Sequence, residues 1–422
     1  MPAERTIVVT IQLDPRFSAG GSLWPLEDEA QELEELTASS GCRILGRMTA
    51  RRHRPVAGTF LGDGKLEEIA AMVEELQGQV VVFNQELSPA QQRNIEERVR
   101  VKTIDRTQLI LDIFAQRAKS QEGKVQVELA QLRYLLPRLV GKGVMLSRLG
   151  GGIGTRGPGE QKLEVDRRRI RARISRLGAE LEKLSRRRQA TRSRRKETDI
   201  PVAALVGYTN AGKTTLLNRV TGASGVTQHQ LFTTLDPLAR RMRLASGETI
   251  IVTDTVGFLH HLPHHLIEAF NATLEEARDA HLLLHVLDVS HPLADQHAEA
   301  VGEVLRALGL QEKPVITVLN KRDRLQDEAR LQALERVYEP AVALSAKTGQ
   351  GVDRLAVLLG ERLSLLRIEP LRLRLPLERS DLVVQLYQSG QVLRRQEANG
   401  ALEFLARVPA KLASAFQPFI VS

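Results

Sequence analysis

The sequence predicts a multidomain α/β protein, and three observations carry that expectation. Strand-helix alternation occurs twice, in residues 1–118 and again in residues 198–367. The two blocks are separated by heptad-like helices around a glycine-rich stretch, and a short mixed region closes the chain. A length of 422 residues is too great for one ordinary core. The full expectation is an N-terminal α/β domain, a long antiparallel helical hairpin, a second α/β domain built around a phosphate loop, and a small C-terminal α+β domain.

In residues 1–118, runs such as Ile7-Val8-Val9-Thr10-Ile11 and Val80-Val81-Val82-Phe83 read as strands, with helical patterns at Leu26 to Leu36 and Lys65 to Leu76 between them. Ser88-Pro89 opens a further helix, serine as cap and proline at the first helical position. In residues 119–197 the apolar positions Val125, Leu129, Leu132, Leu136 and Leu139 step by four and three, as do Ile170, Ile174, Leu177, Leu181 and Leu184. Each series is a seam, so two neighbouring helices should pair antiparallel, with Pro137 ending the first. Their connection, residues 141–162, holds eight glycines together with Lys142, Arg148 and Arg156, and reads as a basic tip. In residues 198–367 the strands are Val202 to Val206, Ile250 to Thr253, Leu282 to Leu287 and Val315 to Leu319. Residues 370–422 are expected to mix short strands, such as Asp381 to Leu386, with a helix near Ala410 to Ala415.

Composition excludes several classes. A single cysteine, Cys42, leaves no internal disulfide and fits a cytoplasmic location. The start of the chain has no apolar run of secretory type, and no stretch of about 18 apolar residues could span a bilayer. The net charge of +9 is localised: Arg167 to Lys196 contains fourteen Lys or Arg against Glu180 and Glu182, a charge of +12 that leaves −3 for the rest. One basic rod on a nearly neutral body is the footprint of a polyanionic partner. The rod lacks aromatic residues, which favours contact with the backbone and shape of structured RNA over stacking on single strands. A rod that binds acidic lipid, as in a scaffold protein with weak peripheral membrane association, is the competing expectation.

Gly207-Tyr208-Thr209-Asn210-Ala211-Gly212-Lys213-Thr214 fits the phosphate-loop pattern between a strand and a helix, with Thr215 following. Backbone N–H groups and the helix N-terminus supply positive potential there; Lys213 is expected on the β and γ phosphates and Thr214 on Mg²⁺. Asp254-Thr255-Val256-Gly257 ends a strand, where the aspartate can hold the magnesium shell and the Gly257 amide can sense the γ-phosphate. Asn320-Lys321-Arg322-Asp323 supplies a carboxylate for the two N–H groups of the guanine edge, a pairing adenine cannot offer. Ser345-Ala346-Lys347 completes the base pocket. The series resembles the phosphate-loop GTPases of the translation-factor class, with GTP and GDP as ligands. Thr234, twenty residues after Thr214 within Phe232-Thr233-Thr234-Leu235-Asp236, resembles the switch threonine that completes magnesium coordination, with Thr233 as the neighbouring alternative. Lys213, Thr234 and Gly257 are the expected catalytic set, and Thr214 and Thr234 the metal ligands.

Phe258 stands where many such enzymes place a glutamine to orient water, so hydrolysis by the isolated chain should be slow and assisted from elsewhere. In His260-His261-Leu262-Pro263-His264-His265, Pro263 breaks helical pairing of ligands and no carboxylate or cysteine accompanies the histidines. The run reads as a polar switch loop rather than a metal centre.

Over nearly its whole length the chain is similar to the HflX family of ribosome-associated GTPases. The similarity rests on Glu86-Leu87-Ser88-Pro89-Ala90-Gln91-Gln92-Arg93-Asn94, on Asp105-Arg106-Thr107 with Asp112 to Ala118, on Gln131 to Leu139, on Gly150 to Glu160, and on Asp254 to Phe258 with His261-Leu262-Pro263-His264. His260 departs from the family pattern, where arginine is frequent; if that arginine assists catalysis, its loss lowers turnover. The resemblance implies GTP-dependent binding to the ribosome, in particular the large subunit and its rRNA, and splitting or rescue of stalled ribosomes under stress. It places the glycine-rich loop near the peptidyl-transferase region. It also links the N-terminal domain, here nucleotide-binding-like in pattern, to a separate ATP-binding activity, although no phosphate loop precedes residue 200. An ATP-driven RNA-remodelling enzyme is the remaining alternative, distinguished by nucleotide preference.

Overall fold

The computed structural model describes residues 3–17, 24–139, 158–197, 200–223, 231–232, 236, 238–244, 247–259, 271–366, 370–398, 401–409 and 412–421. The first sheet has the order β2-β1-β3-β4 and is parallel throughout. It comprises β1 (Arg5–Leu13), β2 (Arg43–Arg52), β3 (Val80–Phe83) and β4 (Lys102–Ile104). Alternation along β1 sends Ile7, Val9 and Ile11 to one face, against α2 (Asp63–Glu75) and α3 (Pro89–Val99), where Leu66, Ile69 and Ile95 complete a core. Val8 faces α1 (Leu26–Ser39) and α4 (Arg106–Arg117), packing with Leu33, Leu36, Ile110 and Phe114. The expected cap is present: Ser88 accepts from the Gln91 N–H and the Gln91 side chain returns to the Ser88 N–H, a capping box with Pro89 in the first turn.

The hairpin helices are α5 (Gln121–Arg138) and α6 (Pro158–Glu197). Pro137 lies in the last turn of α5, as the sequence requires. Two cross-links set an antiparallel register, Gln121 with Glu180 and Arg173 with Glu128, because one partner's number rises as the other's falls. The seam is built from Val125, Leu129 and Leu177, flanked by Leu132, Ile174, Leu181 and Leu184. Leu136, Leu139 and Ile170 are only partly buried and lie outside it. The end of α5 is instead fastened to the first domain, where Arg138 donates to the Leu87 carbonyl at 2.7 Å and to Asp105 at 3.1 Å. Most of the tip, residues 140–157, lies outside the described residues.

The second sheet has the order β10-β9-β8-β5-β7-β6. Its parallel strands are β5 (Val202–Gly207), β7 (Thr249–Asp254), β8 (Leu282–Asp288), β9 (Val315–Asn320) and β10 (Ala341–Ala343). The edge strand β6 (Leu238–Arg243) runs antiparallel to β7. One face carries α7 (Lys213–Thr221) and α11 (Val352–Leu366); the other carries α8 (Asn271–Asp279) and α9 (Ala294–Ala307). Between β9 and β10 lies α10 (Glu328–Val337). The α8–α9 face is continuous with the first domain, since Val206, Tyr208, Phe232 and Phe258 share one buried cluster with Trp24, Leu33 and Phe114.

The C-terminal sheet, β11-β13-β12, is antiparallel: β11 (Leu371–Pro376), β12 (Gln391–Ala398) and β13 (Ala401–Arg407). The sequence expectation of a strand at Asp381 to Leu386 is overturned, because Ser380–Ser389 forms helix α12. Leu382 and Leu386, four residues apart, are both buried, whereas Val384 is exposed, which is helical rather than alternating periodicity. The expected terminal helix is observed at Ala413–Phe416. Among the described residues no helix is long and apolar enough to cross a membrane.

Among the described side chains of α6, Leu177 is the most buried, at 1% exposure. Leu177→Ala should remove about 2–4 kcal/mol from the α5–α6 seam. Hydrogen exchange across residues 164–187 should accelerate accordingly, and unchanged exchange would show that the seam does not hold the hairpin.

Candidate functional site

The phosphate loop leaves β5 at Gly207 and enters α7 at Lys213. Its lysine is held by the loop's own backbone: Lys213 Nζ donates to the carbonyls of Gly207 at 3.0 Å and Tyr208 at 2.8 Å. Thr214 Oγ1 donates to Asp254 Oδ2 at 2.7 Å, joining the first turn of α7 to the end of β7. Gly257 presses against the loop so closely that a Cβ there would sit 2.9 Å from Thr209 Cα and 3.0 Å from Lys213 Nζ. The Thr209 N–H donates to the Phe258 carbonyl and the Phe258 N–H to Gly207, locking the two segments together. The Phe258 ring is 1% exposed, within the core. That position therefore offers only backbone, which sharpens the sequence expectation drawn from it.

Other predicted residues divide into those that converge and those that do not. Asn320 is the junction: its Nδ2 donates to the Ala211 carbonyl at 2.8 Å and its Oδ1 accepts from the Ala346 N–H at 3.0 Å. It thus ties the phosphate loop to the Ser345-Ala346-Lys347 segment. Ser345 is fully buried, and its Oγ accepts from the Thr348 N–H to shape that turn. Lys321, at φ 63°, pairs with Asp288 at 2.6 Å. Asp323 and Lys347 are exposed, and Asn210 is exposed on the loop. Thr215 is partly buried in the first turn of α7. Arg322 instead donates to Glu328 at 3.0 Å. Thr255 donates to the Leu205 carbonyl, and Val256 is core. Phe232 packs edge-on against Phe114 at 4.5 Å, and Asp236 bonds to the start of α5. Thr233, Thr234 and Leu235, with His260, His261, Leu262, Pro263, His264 and His265, lie outside the described residues. Among the described residues no group of three His, Cys, Asp or Glu is placed to hold a metal by itself.

Sequence reasoning missed the wall that the first domain builds beside the loop. Tyr208 stacks on His297 at 4.0 Å and tilts against Trp24 at 5.9 Å. Its hydroxyl donates to Glu32, which also accepts from Arg106 at 2.8 Å. These groups border an open cavity between α1 and the phosphate loop. The available signal was weak: the single tryptophan of the chain, and an aromatic residue inside a phosphate loop. His285 on β8 was also missed. Burial, helped by the Lys213 charge, lowers its pKa to about 4, so its ring is neutral at physiological pH.

A strand-loop-helix cradle with an oriented lysine, an acid at the end of the next strand and an exposed acid beside a carbonyl-anchored asparagine together define a phosphate-loop GTPase, which binds guanine nucleotide and hydrolyses GTP. Residues 27–115 match the family described as GTP-binding GTPase N-terminal, residues 117–195 the GTP-binding GTPase middle region, and residues 202–321 the 50S ribosome-binding GTPase. GTPase HflX of Caldanaerobacter subterraneus subsp. tengcongensis is 45% identical over 99% of this chain and 94% of its own length. GTPase HflX of Escherichia coli K12 is 46% identical over 90% of each. A solved GTP-binding protein from the archaeon Sulfolobus solfataricus, in complex with GDP, is 23% identical over 86% of this chain and 99% of its own, with a TM-score of 0.46. The chain belongs to the HflX family of GTPases.

Burial pushes the Lys213 ammonium down to about 8; Asp254 pulls the other way and Lys321 adds to the depression. A bound polyphosphate restores the charged form, so affinity is flat below the free-state pKa and falls as pH rises above it. GTP should bind about sevenfold more weakly at about pH 8.8 than at about pH 7, as read by nucleotide titration. A flat profile would contradict contact between Lys213 and phosphate.

Proposed function

We propose that this GTPase binds the large ribosomal subunit through its basic hairpin and couples GTP binding and hydrolysis to the splitting or rescue of stalled ribosomes, as under stress in the cytoplasm. The observation that carries the reading is the surface of α6. Arg168, Arg169, Arg171, Arg173, Arg176, Lys183, Arg186 and Arg187 are all exposed, on a helix whose apolar side is used up against α5. Such a surface gains affinity from counterion release on rRNA.

In the nucleotide site Lys213 would bridge the β and γ phosphates, Asp323 would read the guanine edge, and the Gly257 amide would report the γ-phosphate. Hard oxygen donors suit magnesium, and Thr214 Oγ1 lying 2.7 Å from Asp254 Oδ2 shows two of them already together. Thr214 and Thr234 are the expected direct ligands, with Asp254 behind Thr214. The ion would neutralise charge between the β and γ phosphates. Orientation of the lysine and closure of the loop by Gly257 and Phe258 are the protein's own contribution to positioning. With Phe258 buried, nothing at that position can orient the attacking water, so turnover of the isolated chain is slow and the ribosome supplies what is missing.

The test is sucrose-gradient sedimentation with purified ribosomes. With a non-hydrolysable GTP analogue, at least about tenfold more protein should travel with large subunits than with GDP, falling steeply with salt. Removal of residues 141–196 should abolish cosedimentation and leave GTP binding intact. Retained cosedimentation, or capture of the deleted chain's partner role by anionic vesicles alone, would favour the scaffold reading.

A further inference from the structure

We propose that Asp236 is the positioning residue through which the nucleotide state reaches the hairpin. Its carboxylate accepts from the backbone N–H groups of Lys119 at 2.9 Å and Ser120 at 2.8 Å, and from the Ser120 hydroxyl. Ser120 is the N-cap of α5, and its Oγ accepts from the Gly123 N–H at 2.9 Å. A side chain from the GTPase domain therefore completes the cap of the first hairpin helix. An anion there also meets the positive end of the helix. Residue 123 has room for hydrogen alone, because a Cβ would collide with Asp236 Oδ1. The carboxylate is partly buried and bonds directly to backbone.

Asp236 is two residues beyond Thr234, so their α-carbons can be no more than about 7 Å apart. Switch segments of GTPases are ordered by the γ-phosphate and released on hydrolysis. A change of nucleotide state read by Thr234 thus acts within two residues of the carboxylate that caps α5. The other flank is fixed: the Leu231 N–H donates to Ser39 Oγ at 3.1 Å, and Phe232 is buried against Phe114. Phe232 adopts φ 56°, a strained conformation for a bulky residue that holds only where the surroundings impose it. Phe114 belongs to α4, which ends at Arg117, three residues before Ser120. Both anchors thus converge on the junction between α4 and α5. Phe232 is thus held in the core on one side of the switch threonine, and Asp236 meets the first turn of α5 on the other.

The proposal rests on GTP binding and not on the ribosome, so it can stand or fall apart from the sedimentation result. Hydrogen exchange of the full chain, saturated with GDP or with a non-hydrolysable GTP analogue, tests it. Protection of the amides of residues 120–124 should differ at least about threefold between the two states. Asp236→Ala should erase that difference at verified nucleotide saturation. Ser120→Ala, which removes the hydroxyl link but keeps the two backbone bonds to Asp236, should reduce the difference without erasing it and bind both nucleotides as the parent does. No difference in the parent chain, or a difference that survives Asp236→Ala, would overturn the proposal.

Discussion

Glu32 is a carboxylate at 9% exposure that receives hydrogen bonds from Arg106 beside it and from Tyr208 in the phosphate loop. A buried charge is tolerated only when paired and hydrogen-bonded, and removing one partner strands the other. This contact makes the second residue of the nucleotide cradle a structural part of the N-terminal domain. The stack of Trp24, Tyr208 and His297 extends the same seam. Because the two domains also share one apolar cluster, the GTP site cannot change shape without working against the wall formed by α1 and α4.

The site itself is organised by backbone more than by side chains. Asn320 joins the phosphate loop to the base-pocket turn, Gly257 closes on Thr209, and Phe258 pins the loop through its main chain while its ring fills the core. Under the proposed function this arrangement would orient a triphosphate and leave the attacking water unassisted from that side, so that the GTP state would persist until a partner ends it. The α5–α6 hairpin is where the proposed partner would press, and the start of α5 is bonded to Asp236 of the GTPase domain.

Much of this was legible in the sequence for physical reasons. The phosphate loop, the Asp254 and Asn320 segments and the buried strands are short, local patterns whose chemistry demands particular residues at particular spacings. The heptad seam is equally local, and Leu129 and Leu177 meet as their periodicity requires. What escaped is non-local or edge-on. The strands Arg43–Arg52 and Leu238–Arg243 sit at sheet edges, where arginines face water and no apolar run marks them. Helix α12 was misread because Val383 and Val384 carry strand propensity while Leu382 and Leu386 set the packing period. Phe232 and Asp236 read as parts of a nucleotide motif; that their side chains serve the neighbouring domain depends on contacts more than a hundred residues away. Glu32 and Trp24 carry no motif at all, and only the assembled interface reveals them.

Under the proposed function, a GTPase that hydrolyses slowly alone is triggered by the particle its basic hairpin binds. The most direct measurement is steady-state GTP turnover by the full chain with and without saturating large ribosomal subunits. Subunits should stimulate turnover at least about tenfold, a barrier lowered by roughly 1.4 kcal/mol or more. Equal turnover in the presence and absence of subunits would contradict it.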